Sequence, residues 1–220
     1  MKIFCLLFLA GLNIAFSQTA TQPLQVPQAN AITIDGKLGE DEWKNALKQE
    51  LVGGGELLLQ HDGNFLYVGV HGTSHGWCHL YVTAGDTIFV HHASAALGTA
   101  TYLPKGDLWQ PQQKFVWELR ERTFTPQAEA ARAAYLKSNG WLANNMNTGT
   151  PGIIEFKIAQ RFLKGETVRL AVAFASDPAS PQYWPSTLAD DCRKRELIFG
   201  SAPADLKFNR ASWAKLQLKR

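Results

Sequence analysis

Cysteine, methionine and charge are all scarce in this chain of 220 residues, which has three cysteines, two methionines and 19% charged residues. The formal net charge is only +3, so nothing in the charge indicates a nucleic acid or an anionic membrane as partner. No internal repeat, low-complexity segment or inter-domain linker is present, and no segment after the N-terminal apolar run could span a bilayer. The composition predicts a single globular domain.

The chain begins with the one long apolar run that it has, MKIFCLLFLAGLNIAFSQ. Lys2 precedes the apolar residues 3–15, and Ala15-Phe16-Ser17 supplies the small residues of a cleavage site before Gln18. This pattern predicts a secretory signal peptide over residues 1–17, so we expect a secreted or periplasmic protein. An extended leader over residues 18–30 and one domain over residues 31–220 would follow.

Two cysteines, Cys78 and Cys192, remain after the predicted cleavage. An oxidising compartment would allow them to form a disulfide, and the alternative is two buried free thiols. Met146 is then the sole methionine and lies in a Gly/Asn-rich loop, which gives little support to haem ligation by Met and His. We predict no cofactor, with a structural Ca²⁺ at Asp190, Asp191 and Glu196 as an open alternative.

Short alternating segments separated by turn residues dominate the rest of the chain. They predict an all-β fold, an antiparallel jelly-roll-like β-sandwich with one inserted α-helix. Thr125-Pro126 and Gly140 mark the start and the end of that helix. The strands are predicted at residues 56–60, 65–71, 77–83, 87–92, 95–102, 115–120, 153–158, 168–175, 196–199 and 212–218.

The stretch AITIDGKLGEDEW, residues 31–43, combines an alternating strand, an Asp35-Gly36 turn and an acidic helical turn that ends at Trp43. We expect Trp43 to plug one end of the sandwich. ITIDGKLGEDEWKNA resembles the start of family 9 carbohydrate-binding modules and their DOMON-like relatives. DGNFLYVGVHG and EFKIAQ resemble two further motifs of that family, although Gln160 stands where the family usually has proline.

The resemblance implies a jelly-roll-like sandwich but does not fix the ligand, because the superfamily includes sugar binders and haem-binding electron carriers. The leading hypothesis is an exported, non-catalytic domain that binds carbohydrate or a cell-envelope glycan. The alternatives are an exported haem or metal-binding redox protein and a small secreted hydrolase. The oligomeric state is left open.

One face of the predicted strands is unusually aromatic. Alternation places Trp77, His79 and Tyr81 opposite the core-like residues of the same strand, and His91 is expected to continue that face on the next strand. Either the helix at 125–139 or a long loop covers this face, or it is an open platform for a sugar ring. Trp109 and Trp184, in proline-stiffened loops, either plug the core or contact ligand. The predicted ligand-binding residues are therefore Trp77, His79, Tyr81, His91, Trp109 and Trp184.

Two other features carry possible chemistry. VHHASAALGTATY, residues 90–102, is so poor in bulk that a backbone, a large side chain or a ligand could approach it closely. All six histidines fall between residues 61 and 92, which permits a zinc or copper site although their spacing matches no metal signature. His92 and Ser94 could form a triad with Asp190 or Asp191, but no nucleophile elbow is present.

Overall fold

A computed structural model describes residues 22–120, 123, 125–144, 152–163, 167–175 and 180–218. The predicted signal peptide and Met146 lie outside these residues. The described part consists of two β-sheets, three short or medium α-helices and three turns of 3₁₀ helix at Gln160–Phe162, Asp191–Arg193 and Arg210–Ser212. Within it, no helix is both long and apolar enough to cross a membrane.

The larger sheet has eight strands in the order β1-β13-β11-β5-β6-β7-β8, with β12 also paired to β11. All its pairs are antiparallel except that of β1 with β13. Strand β1 lies within the predicted leader, residues 18–30, so part of that leader belongs to the sheet. The strands are β1 Leu24–Val26, β5 Trp77–Ala84, β6 Thr87–Ala93, β7 Leu97–Lys105, β8 Leu108–Leu119, β11 Thr167–Ala175, β12 Gln182–Trp184 and β13 Ala214–Leu218.

The smaller sheet has five antiparallel strands in the order β2-β3-β4-β10-β9. These are β2 Leu47–Glu50, β3 Glu56–His61, β4 Phe65–His71, β9 Trp141–Ala143 and β10 Ile153–Ala159. The main core lies between the two sheets. It contains alternate residues of strands from both sheets, including Leu66, Val68, Val70, Leu80, Val82 and Val172.

The two sheets confirm the predicted all-β sandwich.

The predicted helix is present as α2, Pro126–Asn139. The Thr125 side chain accepts a hydrogen bond from the Ala128 backbone N–H, and Gly140 ends the helix at φ 73°, where a side chain would be strained. Tyr135 of α2 packs edge-on against Trp141, with ring centroids 5.5 Å apart. The helix therefore closes the end of the sandwich where β8 and β9 are the last strands of their sheets.

Trp43 ends the short helix α1, Glu40–Trp43, as predicted, but it does not plug an end of the sandwich. It lies on the outer face of the smaller sheet, in a cluster with Ile32, Leu58 and Tyr67. A Cβ added at Gly69 would come within 3.1 Å of the Trp43 ring. The absence of a side chain at Gly69 makes room for the indole over the middle of β4.

The outer face of the larger sheet is covered by residues 186–213, called here the covering segment. Its apolar side chains, Leu188, Cys192, Leu197, Leu206, Phe208 and Trp213, pack against the outer-face residues of β5, β6, β7 and β11. A long loop, and not α2, is thus what covers this face. The strand predicted at residues 196–199 is wrong, because Arg195–Ile198 form the helical turn α3 within the covering segment.

Candidate functional site

The hairpin of β5 and β6 decides which histidines share a face. Its turn has two residues, Gly85 and Asp86, so that Ala84 pairs with Thr87 and His79 lies opposite His92. His91 lies opposite Leu80 and therefore on the inner face. The prediction that His91 continues the face of His79 is wrong. The predicted strands 77–83 and 87–92 leave a turn of three residues, and a shift of one residue reverses every side chain.

The structure does not bring the six predicted ligand-binding residues together. His79 and Tyr81 are buried beneath the covering segment, and His91 is buried on the inner face with its ring 4.5 Å from that of Trp141. Trp109 packs on Phe208 of the covering segment, and Trp184 lies in the core between the sheets. The six residues thus share no open face, and their contact with a ligand stays a prediction.

Three of the predicted residues border open clefts: Trp184 and Trp109 each border one of their own, and Trp77 borders an aromatic one. This aromatic cleft, of about 440 Å³, is edged by Trp77, Trp117 and Phe199 and also lined by His92 and Arg120. Trp77 and Phe199 meet edge to face, with ring centroids 5.8 Å apart, and Phe199 is 47% exposed. The cleft lies at the end of β5 where the covering segment stops covering the sheet.

The small residues of β7 create the space for this cleft. Gly98 lies opposite both His92 and Trp117, and a Cβ on Gly98 would stand 2.8 Å from the Trp117 ring. Trp117 stacks on Phe115 at 5.3 Å between centroids, with 8° between the ring planes. The space left by the small residues of β7 is therefore filled by the Trp117 side chain. This close packing holds the indole ring flat beside the cleft.

A chain of hydrogen bonds runs from the covering segment to the cleft. The Tyr81 hydroxyl donates to the carbonyl oxygen of Cys192 at 2.8 Å. Its oxygen lies 3.3 Å from Nδ1 of His79, and Nε2 of His79 contacts Nδ1 of His92. A carbonyl oxygen only accepts, so the Tyr81 hydroxyl must be the donor of the first bond. This fixes which atom donates and which accepts in the two bonds that follow.

Burial keeps both histidines neutral. It lowers the pKa of His79 well below its usual value, with the neighbouring His92 adding to the effect, and it lowers the pKa of His92 to about 3. Each ring then has one proton. Since the Tyr81 hydroxyl proton goes to Cys192, we assign the proton of His79 to Nδ1 and that of His92 to Nδ1. The remaining nitrogen, Nε2 of His92, is an acceptor without a hydrogen bond to any described residue.

Three residues of the cleft, His92, Trp117 and Phe199, are not among the predicted ligand-binding residues, and the sequence holds a signal for the first two. A two-residue turn at Gly85-Asp86 would place His92 on the same face as His79. Trp117 lies in the predicted strand 115–120 and alternates with Phe115, which marks an apolar face on an edge strand. Phe199 was predicted to lie in a strand, and no local pattern indicates that the fold brings it beside Trp77, which is distant in the sequence.

The other chemical candidates have structural roles. Asp190 accepts hydrogen bonds from the backbone of Cys192 and Asn209 and from the indole of Trp213, so its carboxylate anchors the covering segment. Ser94 donates to Ala96, and the triad with His92 and Asp190 is not formed. No group of three or more His, Cys, Asp or Glu side chains suited to a metal occurs among the residues that the structure describes. The structural Ca²⁺ stays a prediction.

The predicted disulfide is contradicted by the structure. Cys78 and Cys192 are both free and buried. Cys78 belongs to the core between the sheets, whereas Cys192 packs on the outer face of the larger sheet. The sheet itself separates the two thiols, which leaves the alternative of two buried free cysteines.

Two solved structures resemble this chain, and both are carbohydrate-binding modules of family 9 from Caldicellulosiruptor kristjanssonii. The first, in complex with cellotriose, has 10% identity and a TM-score of 0.49, covering 90% of this chain and 94% of its own. The second, in complex with glucose, has 10% identity and a TM-score of 0.44, covering 90% and 96%. They come from the family that the opening motif resembles. No family model and no curated protein matches the chain.

Proposed function

We propose that this protein is an exported, non-catalytic carbohydrate-binding domain, and that the sugar occupies the aromatic cleft. The observation that carries the proposal is the unpaired Nε2 of His92, held as an acceptor by the hydrogen-bond chain to Cys192 and placed between aromatic rings. A sugar hydroxyl is a donor of the kind that this nitrogen accepts.

The rings supply the apolar half of the recognition. Trp77, Trp117 and Phe199 edge the cleft and are not fully buried, so their faces and edges can contact the C–H groups of a sugar ring. Trp117 is held by its stacked neighbour Phe115 and by close packing over Gly98. A ring that is already fixed loses little conformational entropy when a ligand stacks on it.

Polar groups at the same place supply the other half. Arg120 lines the cleft and can donate to hydroxyl oxygens, while Nε2 of His92 accepts. The volume of about 440 Å³ falls within the usual range for small-ligand sites, roughly 300–1,000 Å³. A cleft that offers a donor, an acceptor and aromatic walls suits a neutral sugar of one or a few rings.

The test begins with a microarray of neutral cello-, xylo-, manno- and chito-oligosaccharides, and the best binder is then titrated calorimetrically. Trp77→Ala and Trp117→Ala should each weaken its binding about tenfold, because each removes a stacking surface. Val116→Ala is the matched control, since Val116 neighbours Trp117 on β8, is exposed and lies outside the cleft. Binding that survives both tryptophan variants, or no binding by any oligosaccharide, would overturn the proposal.

The role of His92 is tested by two replacements. His92→Gln keeps a polar group on the strand, whereas His92→Phe keeps the ring but removes the acceptor. We expect the Phe variant to lose about tenfold in affinity, as for a hydrogen bond to a neutral partner left unmade. A two-dimensional NMR spectrum of each variant confirms its fold. Equal affinity of the Phe variant and the wild type would remove His92 from the recognition.

Export is supported by Lys2, the apolar residues 3–15 and the small residues Ala15 and Ser17. N-terminal sequencing of protein recovered from the periplasm or the medium should give a first residue at or near Gln18. An intact Met1 would contradict export by this route. Metal and haem analysis of the same sample tests the redox alternative, because stoichiometric zinc, copper or haem would replace the sugar hypothesis.

A further inference from the structure

A second cleft lies at the opposite end of β5, about 780 Å³ in volume, and three basic side chains line it. Arg169 of β11 and Lys215 of β13 are directly opposite one another in the antiparallel register. Arg210 of the covering segment is the third, and all three are half-buried. No carboxylate of a described residue lines this basic cleft.

Such an arrangement costs free energy in the unliganded protein. Like charges placed directly opposite on neighbouring strands repel one another, and partial burial reduces the screening by water. Within the described part of the chain, Arg169, Arg210 and Lys215 form no ion pair with a carboxylate. The repulsion is therefore not offset by the carboxylate of any described residue.

Both arginines are held in place by backbone carbonyls. Arg169 donates from Nη1 to the carbonyl oxygen of Arg210 at 2.8 Å, and Arg210 donates from Nη1 to that of Gly85 at 3.0 Å. The guanidinium of Arg210 also lies 5.1 Å from the centre of the Trp109 ring. These contacts use one N–H of each five-donor guanidinium and fix its orientation, so the remaining donors are preorganised.

We propose that the basic cleft binds the carboxylate or sulfate group of an acidic glycan. An oxyanion between Arg169, Arg210 and Lys215 would relieve their repulsion and accept charge-assisted hydrogen bonds from them. The glycan part of this inference rests on the proposed function, whereas the anion part rests on the three cations alone. The site is separate from the aromatic cleft and takes a different chemical group.

The experiment compares four probes in titration calorimetry: a sulfated oligosaccharide, an oligogalacturonate, a neutral oligosaccharide of equal length and inorganic sulfate. The proteins are the wild type, the double variant Arg169→Gln/Lys215→Gln and the control Lys207→Gln. Lys207 is exposed on the covering segment outside the cleft, so its replacement removes charge without touching the site. We expect the double variant to lose at least about tenfold in affinity for an acidic glycan, and the control to lose little.

The two acidic probes distinguish a sulfate site from a carboxylate site, and tighter binding of either supports the proposal. Affinity should also fall with added salt in the wild type more steeply than in the double variant. Equal binding of acidic and neutral probes, or equal losses in the double variant and Lys207→Gln, would overturn it. Sulfate alone bound with no preference for any acidic glycan would also overturn the glycan assignment.

The outcome is separable from that of the aromatic cleft. If Trp77→Ala and Trp117→Ala weaken neutral-sugar binding while acidic probes bind no better than neutral ones, the proposed function stands and the basic cleft fails. If neutral-sugar binding is absent or survives both tryptophan variants, and acidic binding is lost in Arg169→Gln/Lys215→Gln, the basic cleft stands and the aromatic cleft fails.

Discussion

One carboxylate oxygen of Glu155, on β10, accepts the backbone N–H of Gly36 at 2.7 Å and that of Asp35 at 3.0 Å. Two stretches that resemble separate motifs of one family therefore meet in the fold: the Asp-Gly turn of the opening stretch and the strand EFKIAQ. Gly36 is at φ 82°, a conformation that glycine adopts readily. The opening stretch is thus fastened to the smaller sheet by a buried acid.

This acid should make the stability depend on pH. Burial raises the pKa of Glu155 from 4.5 to about 7, with nearby Asp35 contributing, so the folded state favours the protonated form. Its stabilising effect is full below about pH 4.5 and is lost as the pH rises through 7. The total is about 3 kcal/mol of unfolding free energy.

Urea unfolding of the wild type and Glu155→Gln between about pH 5 and pH 8 measures the difference. Subtracting the two profiles removes the histidines, whose lowered pKa values act in the opposite direction. The wild type should lose about 2–3 kcal/mol more than the variant over this range. Parallel profiles would show that Glu155 does not titrate there.

Trp43→Ala should destabilise the domain by about 3–5 kcal/mol, since Trp43 is 3% exposed and packs over Gly69. Trp77→Ala should cost less, about 1–2 kcal/mol, because Trp77 is only half-buried. Chemical denaturation of both variants gives the comparison. Equal losses would mean that Trp77 belongs to the core and not to a binding surface.

Gly98→Ala should weaken sugar binding without removing any group of the cleft. The new Cβ would clash with the Trp117 ring and with the backbone of β8, so the ring must move. We expect a loss of about 1–3 kcal/mol in stability together with a weaker affinity. Gly39→Ala is the control, because its Cβ meets nothing closer than 3.6 Å and its φ is −61°. An unchanged affinity in Gly98→Ala would show that the position of Trp117 does not matter for sugar binding.

The histidine pair should be visible by NMR. Long-range ¹H–¹⁵N spectra are expected to show His79 and His92 both protonated at Nδ1 and neutral from about pH 5 to pH 8, because burial lowers their pKa values. The sugar should shift the Nε2 resonance of His92 more than that of His79. An Nε2–H tautomer at His92 would reverse the hydrogen-bond chain and contradict the acceptor role.

Both buried thiols should be unreactive in the folded protein. Burial raises the pKa of Cys78 and that of Cys192, which suppresses the reactive thiolate. A thiol reagent should label them slowly at neutral pH and rapidly after unfolding. Non-reducing mass spectrometry of the exported protein that detected a Cys78–Cys192 bridge would contradict the arrangement on opposite faces of the sheet.

Local chemistry made much of the fold predictable. The caps at Thr125 and Gly140 bound α2 because a side-chain acceptor and a residue free to adopt positive φ are local requirements. Strand β4 is found over the residues predicted, since alternation and the turn at Asp62–Asn64 define it without reference to the rest of the chain.

The site was less predictable because it depends on distant pairing. The Gly85-Asp86 turn is one residue shorter than the predicted turn. This difference places His92, and not His91, on the outer face. The arrival of Phe199 beside Trp77, and of Arg210 beside Arg169, depends on how the covering segment crosses the sheet. No local rule of propensity specifies such a crossing, which is decided by burial over the whole face.

The covering segment contributes Phe199 to one cleft and Arg210 to the other, and the hydrogen bond from Tyr81 to Cys192 ties it to the sheet. A shift of this segment would therefore be felt at both ends of β5. If a ligand at one cleft changes the affinity of the other by some factor, the second ligand must change the first affinity by the same factor. The affinity for a glycan with both acidic and neutral sugars would then depend on both clefts together, because the covering segment belongs to both.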